Sequence, residues 1–167
     1  PSRRAAHFIT VRILSRCFQA HQKGRMIVEH LWTPWRMAYI RGEKRPVDGC
    51  VFCDAPQQAD APALIVARSE RVYAVLNLFP YNSGHLMIIP YRHVSTPEDL
   101  DDAELLDQGR MINRALAVLR AAYQPAGFNL GANLGAVAGA GIAQHYHFHI
   151  VPRWGGDASF MTTIGEA

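Results

Sequence analysis

The 167-residue sequence lacks the features that mark several classes of protein. No apolar stretch approaches the roughly 20 residues that an α-helix needs to cross a bilayer, so we expect no membrane partner. The chain has only three cysteines and no clear secretory pattern, which favours a reducing, cytoplasmic compartment over a disulfide-rich secreted scaffold. With 49% hydrophobic and 19% charged residues, the composition excludes a disordered polyelectrolyte and is sufficient for a globular domain.

Acidic residues are missing from the first 25 positions, which carry six Lys and Arg residues. Residues 26–167 hold the other 11 basic residues against 14 acidic ones, a net charge of −3. The overall charge of +3 therefore does not describe the body of the chain. We expect no binding to a nucleic-acid polymer, which requires a basic face on the folded part. Residues 1–25 resemble an organellar transit peptide, but we interpret them as a disordered or non-native extension ahead of a start at Met26.

Hydrophobic patterning along residues 26–167 predicts a single α+β domain. The pattern indicates strands at 64–69, 72–78 and 85–91, a long helix, and two further strands at 128–134 and 145–151. We expect the helix to begin at Thr96–Pro97 and to bury one face, formed by Leu105, Ile112, Leu116, Leu119 and Tyr123. Short connections favour a mostly antiparallel five-stranded sheet with the long helix on one face.

The sequence predicts less about structure at the two ends of residues 26–167. The spacing of Trp32, Trp35 and Tyr39 predicts a short helix within residues 30–40. The segment after Val151 is polar and contains glycine, and it stops without completing another element. We therefore expect the C-terminus to be truncated.

Three of the eight histidines occupy alternate positions within five residues: His145, His147 and His149. Alternate residues of a strand share one face, so we expect the three imidazoles to line a site without being buried. The residues between them, Tyr146, Phe148 and Ile150, would then pack in the core. A solvent-exposed strand face that is rich in histidine by chance is the alternative.

Two kinds of chemistry use such an array. One is a metal site, because an H-x-H pair on a strand can offer two ligands to zinc. The other is attack by a neutral imidazole on phosphorus, with neighbouring imidazoles donating to the phosphate oxygens. The glycine-rich loop at 135–143 favours the second, because backbone N–H groups without side chains can approach an anion.

Cys50 and Cys53 form a C-x-x-C motif after a charged loop. Such a motif on its own is compatible with a zinc site, a redox pair or two ordinary reduced thiols. A closed zinc site would need two further ligands, which the motif does not identify.

The run His-Tyr-His-Phe-His-Ile-Val at 145–151 resembles the signature of the histidine triad (HIT) family. The segments 76–93 and 129–135 are also similar to that family, and the resemblance extends over about residues 30–160. Three further stretches resemble the branch that contains diadenosine tetraphosphate phosphorylases and hydrolases: 31–40, 80–87 and 151–160.

The resemblance implies specific roles. His147 would be the nucleophile that forms a nucleotidyl-histidine intermediate, which water, phosphate or another acceptor then resolves. His149 and His85 would contact the α-phosphate oxygens, Asn77 the ribose, and Asn133 the neighbourhood of the phosphates. A β-sheet with flanking helices and a homodimer are also implied.

The same resemblance implies a structural zinc ion with the ligands Cys50, Cys53, His93 and His145. One position departs from the family pattern. Many relatives carry Ser or Gln four residues before the first histidine, where this chain has Gly141. That difference bears on the leaving group more than on the attack at phosphorus.

We therefore expect a nucleotidyl hydrolase or transferase that cleaves diadenosine polyphosphates or related adenosine nucleotides. One alternative is a non-catalytic nucleotide-binding module that works through protein contacts. The other is a metallohydrolase whose zinc is held by the triad itself.

Overall fold

The computed structural model describes residues 49–157. The helices are α1 (Val51–Asp54), α2 (Asp60–Ala63) and α3 (Asp102–Tyr123), with 3-10 turns at Ala55–Gln57 and Pro97–Asp99. The strands are β1 (Ile65–Arg68), β2 (Val72–Leu76), β3 (Leu86–Pro90), β4 (Gly127–Gly131) and β5 (Phe148–Arg153). The predicted extension, the N-terminal helix and the end of the chain lie outside the described residues. No helix between 49 and 157 is long and apolar enough to cross a membrane.

Within the described residues the strands form one five-stranded sheet in the order β1-β2-β3-β5-β4. Every neighbouring pair is antiparallel, and β1 carries an irregularity between Ile65 and Ala67. The α+β architecture that the sequence predicted is therefore confirmed. β5, the last of the described strands, lies between β3 and β4, and this position brings the end of the histidine segment into the interior of the sheet.

Side chains at alternate positions of the strands point to opposite faces of the sheet, and both faces are packed. On one face α3 covers a core formed by Val72, Ala74, Leu86, Ile88, Met111, Ala115, Leu119 and Ile150. On the other face Phe52 of α1 belongs to a second core, together with Ile65, Tyr73, Val75, Met87 and Ile89. Met87 pairs with His149, whereas Ile88 pairs with Phe148, so the histidine lies on the face that α1 covers.

The last strand begins three residues later than predicted, at Phe148. The backbone N–H of Tyr146 bonds to the carbonyl of Val94 at 2.6 Å and so does not join a strand ladder. Phe148 and Ile150 contact the α3 face, as predicted for the residues between the histidines. His145 and His147, however, precede the strand, and strand alternation does not determine where their side chains point.

The long helix also begins later than predicted. Thr96 accepts a hydrogen bond from the N–H of Glu98 and caps only the short 3-10 turn. α3 begins at Asp102 behind its own capping box, in which Asp101 and Glu104 each accept from the other's backbone N–H. This arrangement satisfies two otherwise unpaired donors, which explains why the helix begins at this point.

The buried face of α3 differs in part from the predicted one. Ile112, Leu116 and Leu119 contact the core as expected. Leu105 and Tyr123 were predicted to be buried, but they are 43% and 47% exposed. Two polar residues, Glu104 and Gln108, are buried in this part of the helix instead, because each has a partner. Arg92 pairs with Glu104, and Nε2 of Gln108 donates to the hydroxyl of Tyr146.

The turn between β2 and β3 lies directly against the end of α3. Gly84 has a φ of +74°, and an added Cβ would lie 3.1–3.3 Å from Leu119, Tyr123 and Pro152. Only a residue without a side chain fits this approach without strain. The close contact sets the position of His85, which follows at once and faces the candidate site.

Candidate functional site

His147 lies just before β5 and is 7% exposed. Its Nδ1 is 2.8 Å from the carbonyl oxygen of His145. A carbonyl only accepts, so Nδ1 carries the proton and Nε2 has the lone pair. Among the described residues, the only completely buried side-chain nitrogen or oxygen that lacks a hydrogen-bond partner is Oε1 of Gln108. Nε2 of His147 has no hydrogen-bond partner within that part of the chain and is not one of the completely buried atoms, so it keeps some contact with solvent.

The environment of His147 favours its neutral form. Burial lowers the pKa of His147, and the hydrogen bond to the carbonyl of His145 opposes that effect only partly. The ring packs against Phe52 at 5.0 Å and against His149 at 4.9 Å between centroids. The arrangement thus provides a neutral imidazole whose Nε2 keeps its lone pair, which is the form that acts as a nucleophile.

A chain of hydrogen bonds sets the tautomers of His85 and His149. The N–H of Tyr81 donates to Nδ1 of His85 at 3.0 Å, so in the neutral ring Nε2 of His85 carries the proton. That Nε2 lies 2.9 Å from Nδ1 of His149, which must then accept. The proton of His149 is consequently on Nε2, where it can serve as a hydrogen-bond donor. Tyr81 also stacks on His85, with ring centroids 5.0 Å apart.

The prediction that the triad would line the site without burial is wrong for two of its members. His145 is 0% exposed and His147 7%, while His149 is half-buried. The physical reason is that α1 covers this end of the sheet, so that Phe52 lies against both buried rings. Tyr146, between them, is buried as expected, in a small cluster with Val94 and Leu100.

The two asparagines lie in the segments that follow β2 and β4. Asn77 follows β2, where its Oδ1 accepts from the N–H of Phe79 at 2.9 Å. Its Nδ2 lies 3.6 Å from the sulfur of Met87, the strand partner of His149. Asn133 lies in the segment after β4, with its Nδ2 3.6 Å from the position of a Cβ at Gly139.

The glycine-rich segment forms a compact loop beside the histidines. The N–H of Gly139 bonds to the carbonyl of Ala136 at 3.0 Å, and that of Ala140 bonds to Gly135 at 3.2 Å. Ile142 packs against the cluster that contains Phe52. The loop therefore follows β4 closely and returns to the α1 face, where the histidines lie.

Cys50, Cys53, His93 and His145 converge on one point. Nε2 of His145 is 3.0 Å from the carbonyl of Pro90, so it carries the proton and Nδ1 has the lone pair. That Nδ1 lies 3.3 Å from the sulfur of Cys50 and 3.5 Å from that of Cys53. Nδ1 of His93 lies 3.2 Å from the sulfur of Cys53. The four donor atoms lie within 4.8 Å of one another and could hold a metal ion.

Burial shapes the electrostatics of this cluster. It lowers the pKa of His145, against the partial effect of the bond to Pro90, and keeps the ring neutral as a ligand must be. Burial and the neighbouring Cys50 raise the pKa of Cys53. A cation between the donors would reverse the second effect, because a metal-bound thiol loses its proton. Of the triad histidines, only His145 belongs to this donor group.

An ion pair supports the loop that carries His93. Arg92 donates to both carboxylate oxygens of Glu104, at 3.0 and 2.6 Å, and to the carbonyl of Asp99. The hydrogen bond from Arg92 lowers the pKa of Glu104. This pair ties the start of α3 to the loop after β3. A surface depression of about 510 Å³ opens beside it and includes His93 in its wall.

Sequence reasoning missed two residues that contact the histidines. Phe52 lies between the two cysteines and touches His145 and His147, and only its position inside the C-x-x-C motif hinted at a role. Tyr81 belongs to a segment that was noted for its family resemblance, but its contact with His85 requires the folded turn.

Known proteins provide close comparisons. Residues 58–156 match the family described as the HIT domain. A protein named AP-4-A phosphorylase from Mycobacterium tuberculosis is 48% identical over 145 residues, which cover 83% of this chain and 74% of the relative. A member of the HIT family from Bacillus subtilis has a similar structure, with a TM-score of 0.61 and 29% identity over 68% of this chain and 79% of that one. A Zn-bound histidine triad family protein from Mycobacterium smegmatis has a TM-score of 0.58 and 30% identity over 67% and 81% of the two chains.

Proposed function

The chain belongs to the HIT domain family, and from this premise we propose that it is an enzyme that transfers or hydrolyses nucleotidyl groups. Its substrates would be diadenosine polyphosphates or related adenosine nucleotides. The name of the Mycobacterium tuberculosis relative supports this substrate class. The observation that carries the proposal is the state of His147: Nδ1 donates to a backbone carbonyl, and the basic Nε2 reaches solvent beside His149.

In the first step the lone pair on Nε2 of His147 would bond to the α-phosphorus. The bond from phosphorus to the bridging oxygen breaks, and its electron pair leaves with the remaining phosphate chain. The ring becomes a charged N-phosphoryl imidazolium, which the carbonyl of His145 stabilises by accepting from Nδ1–H at 2.8 Å. One difficult displacement is thereby divided into two easier ones.

Negative charge that develops on the phosphate oxygens requires donors that are already in place. His149 would provide one from Nε2, the nitrogen that its bond to His85 leaves protonated. His85 is 1% exposed and bonds through both ring nitrogens, which favours a role in orienting His149. Asn77 would contact the ribose, and Asn133 would lie near the phosphates.

In the second step an acceptor oxygen would attack the same phosphorus, and the N–P bond would return its electron pair to Nε2 of His147. Water as the acceptor gives hydrolysis, with loss of a water proton. Inorganic phosphate gives phosphorolysis and a nucleoside diphosphate. Product analysis in the presence and absence of phosphate distinguishes these two outcomes.

The experiment that tests the proposal is rapid quenching of the protein during turnover of diadenosine tetraphosphate, followed by peptide mass mapping. An added AMP on His147 is the expected result. His147→Ala should lose turnover and retain nucleotide binding. Retained turnover by His147→Ala would overturn the mechanism. A wild-type protein that binds nucleotide without turnover would instead be a non-catalytic binding module.

We also propose that Cys50, Cys53, His93 and His145 bind a structural zinc ion. Two sulfurs and two imidazole nitrogens form a donor set that zinc prefers. The carbonyl of Pro90 orients the His145 ring by accepting from its Nε2, the nitrogen that faces away from the sulfurs. When bound, the ion would hold the segment around α1 against the start of the histidine run. Metal analysis tests this, since Cys53→Ser should lose zinc.

A matched measurement on His147→Ala separates the two possible metal sites. Its zinc content should equal that of the wild type, because His147 is not one of the converging donors. Loss of zinc on this substitution would favour a metallohydrolase in which the triad holds the metal.

We propose that the enzyme is a cytoplasmic homodimer. Light scattering during gel filtration measures the oligomeric state.

A further inference from the structure

Phe52 is the side chain that covers one side of the proposed nucleophile. It is buried in α1, and its ring centroid lies 5.0 Å from that of His147, with the two planes inclined by 50°. The same ring meets His145 edge-on at 5.6 Å. A single phenyl group therefore contacts both buried members of the triad.

Phe52 and the two cysteines on either side of it are held by several contacts. Its carbonyl accepts a hydrogen bond from the hydroxyl of Tyr73 at 2.7 Å, and Tyr73 is fully buried in β2. Cys50 precedes it and Cys53 follows it, and the N–H of Cys53 bonds to the carbonyl of Cys50 at 2.9 Å. Both sulfurs lie within 3.5 Å of Nδ1 of His145. The donors that could hold a metal ion thus also set the position of this phenyl ring.

His147 needs such support because β5 does not begin until Phe148. Its ring has one hydrogen bond within the described residues, from Nδ1 to the carbonyl of His145, and a single bond does not fix the ring plane. Contacts with the Phe52 ring at 5.0 Å and with the His149 ring at 4.9 Å restrict the remaining rotation. In-line attack on phosphorus requires Nε2 to stay aligned, and a displacement of about 1 Å can reduce a rate by about 100-fold.

We propose that Phe52 is a positioning residue, which holds the imidazole of His147 in the orientation for attack and links it to the Cys50–Cys53 segment. This inference rests on the proposed function, in that it assumes His147 to be the nucleophile. It adds that the cysteine cluster affects the nucleophile through packing, with no metal in the reaction itself. Removing the metal and shortening Phe52 should then both lower kcat by loosening the orientation of the His147 ring.

The test compares Phe52→Leu with a control, Ile65→Ala. Ile65 belongs to the same hydrophobic cluster but lies on β1, which two strands separate from β5. For Phe52→Leu we expect kcat for diadenosine tetraphosphate to fall by about 10- to 100-fold with KM little changed. Ile65→Ala should keep kcat close to that of the wild type. Phe52→Met, whose side chain has about the volume of leucine but is unbranched and adapts to irregular gaps, is measured alongside in case the leucine variant folds poorly.

Three readouts do not depend on turnover. Zinc content and the thermal midpoint should be similar in Phe52→Leu and Ile65→Ala, so that a lower kcat does not reflect a lost metal or a lost fold. In NMR spectra the ring resonances of His147 should broaden or split in Phe52→Leu and remain single in Ile65→Ala. Cys53→Ser should produce the same changes in the His147 resonances, and combining it with Phe52→Leu should add little to the loss of kcat.

Equal kcat values for Phe52→Leu and Ile65→Ala, with unchanged His147 resonances in both, would overturn the inference. A wild-type protein that forms no nucleotidyl-His147 intermediate would instead remove the proposed function. In that case the His147 resonances still decide whether Phe52 holds the ring, so the two failures are distinguishable.

Discussion

Gly84 and Gly109 provide a paired test, because the same chemical change should have opposite effects at the two positions. An alanine at 84 would have to adopt a φ of +74°, which costs about 1–2 kcal/mol for a residue with a Cβ. Its Cβ would also lie 3.1 Å from the tip of Leu119 and 3.3 Å from Pro152 and the Tyr123 ring. Crowding of this kind typically costs about 1–3 kcal/mol.

The unfolded state offsets part of that cost. Alanine has fewer unfolded conformations than glycine, which restores about 0.4–1 kcal/mol. We therefore expect Gly84→Ala to lower the free energy of unfolding by about 1–5 kcal/mol. Gly109 lies inside α3, and no atom outside the local helix backbone would be within 4 Å of its Cβ. Gly109→Ala should raise the free energy of unfolding by about 0.5–1 kcal/mol.

Urea denaturation followed by circular dichroism measures both changes as shifts of the midpoint at constant slope. If the two variants shift in the same direction by similar amounts, the conclusion that Gly84 is constrained by its close approach to α3 is wrong. Because His85 follows Gly84, the kcat of Gly84→Ala should also fall, whereas that of Gly109→Ala should not.

Three further predictions concern buried polar contacts. The bond from Arg92 lowers the pKa of Glu104, so the pair stabilises the fold above the unfolded pKa of about 4.3, and this stabilisation is lost as the pH falls through the lower folded value. Glu104→Gln should therefore cost about 1–2 kcal/mol at pH 7, and this difference should shrink in urea titrations as the pH falls below about 4. Tyr73→Phe leaves the carbonyl of Phe52 without its donor and should cost about 1–3 kcal/mol in thermal melts. His85→Ala removes the donor to the proposed phosphate-binding imidazole and should lower kcat by about tenfold or more with KM nearly unchanged, whereas a change confined to KM would contradict an orienting role.

The parts of the fold that short-range patterns determine were predicted well. Alternation correctly placed Phe148 and Ile150 against the helix, since both lie within a regular strand. The start of α3 was misplaced because two capping patterns follow each other, at Thr96 and at Asp101. The pattern at Asp101 has a glutamate three residues later, Glu104, whose side chain accepts from the backbone N–H of Asp101. The pattern at Thr96 has no such glutamate.

Contacts between distant residues account for the rest. Glu104 is buried and Leu105 exposed because Arg92, from the loop after β3, pairs with the carboxylate. The residue identities of the converging cysteine and histidine donors followed from family resemblance, but their close approach depends on how the loops fold. Burial of His147 could not be predicted from alternation, since it results from Phe52, 95 positions earlier in the chain.

The position of β5 has a consequence for how the sheet is completed during synthesis. β4 emerges from the ribosome before β5, yet within the described residues its strand partner is β5 alone. Until β5 is synthesised, the edges of β3 and β4 that pair with it remain exposed. Exposed strand edges promote association between chains. Formation of the sheet therefore requires contacts between distant segments late in translation, which slows folding and makes it cooperative. A nascent chain that stalled before residue 148 would leave both edges open and would tend to aggregate.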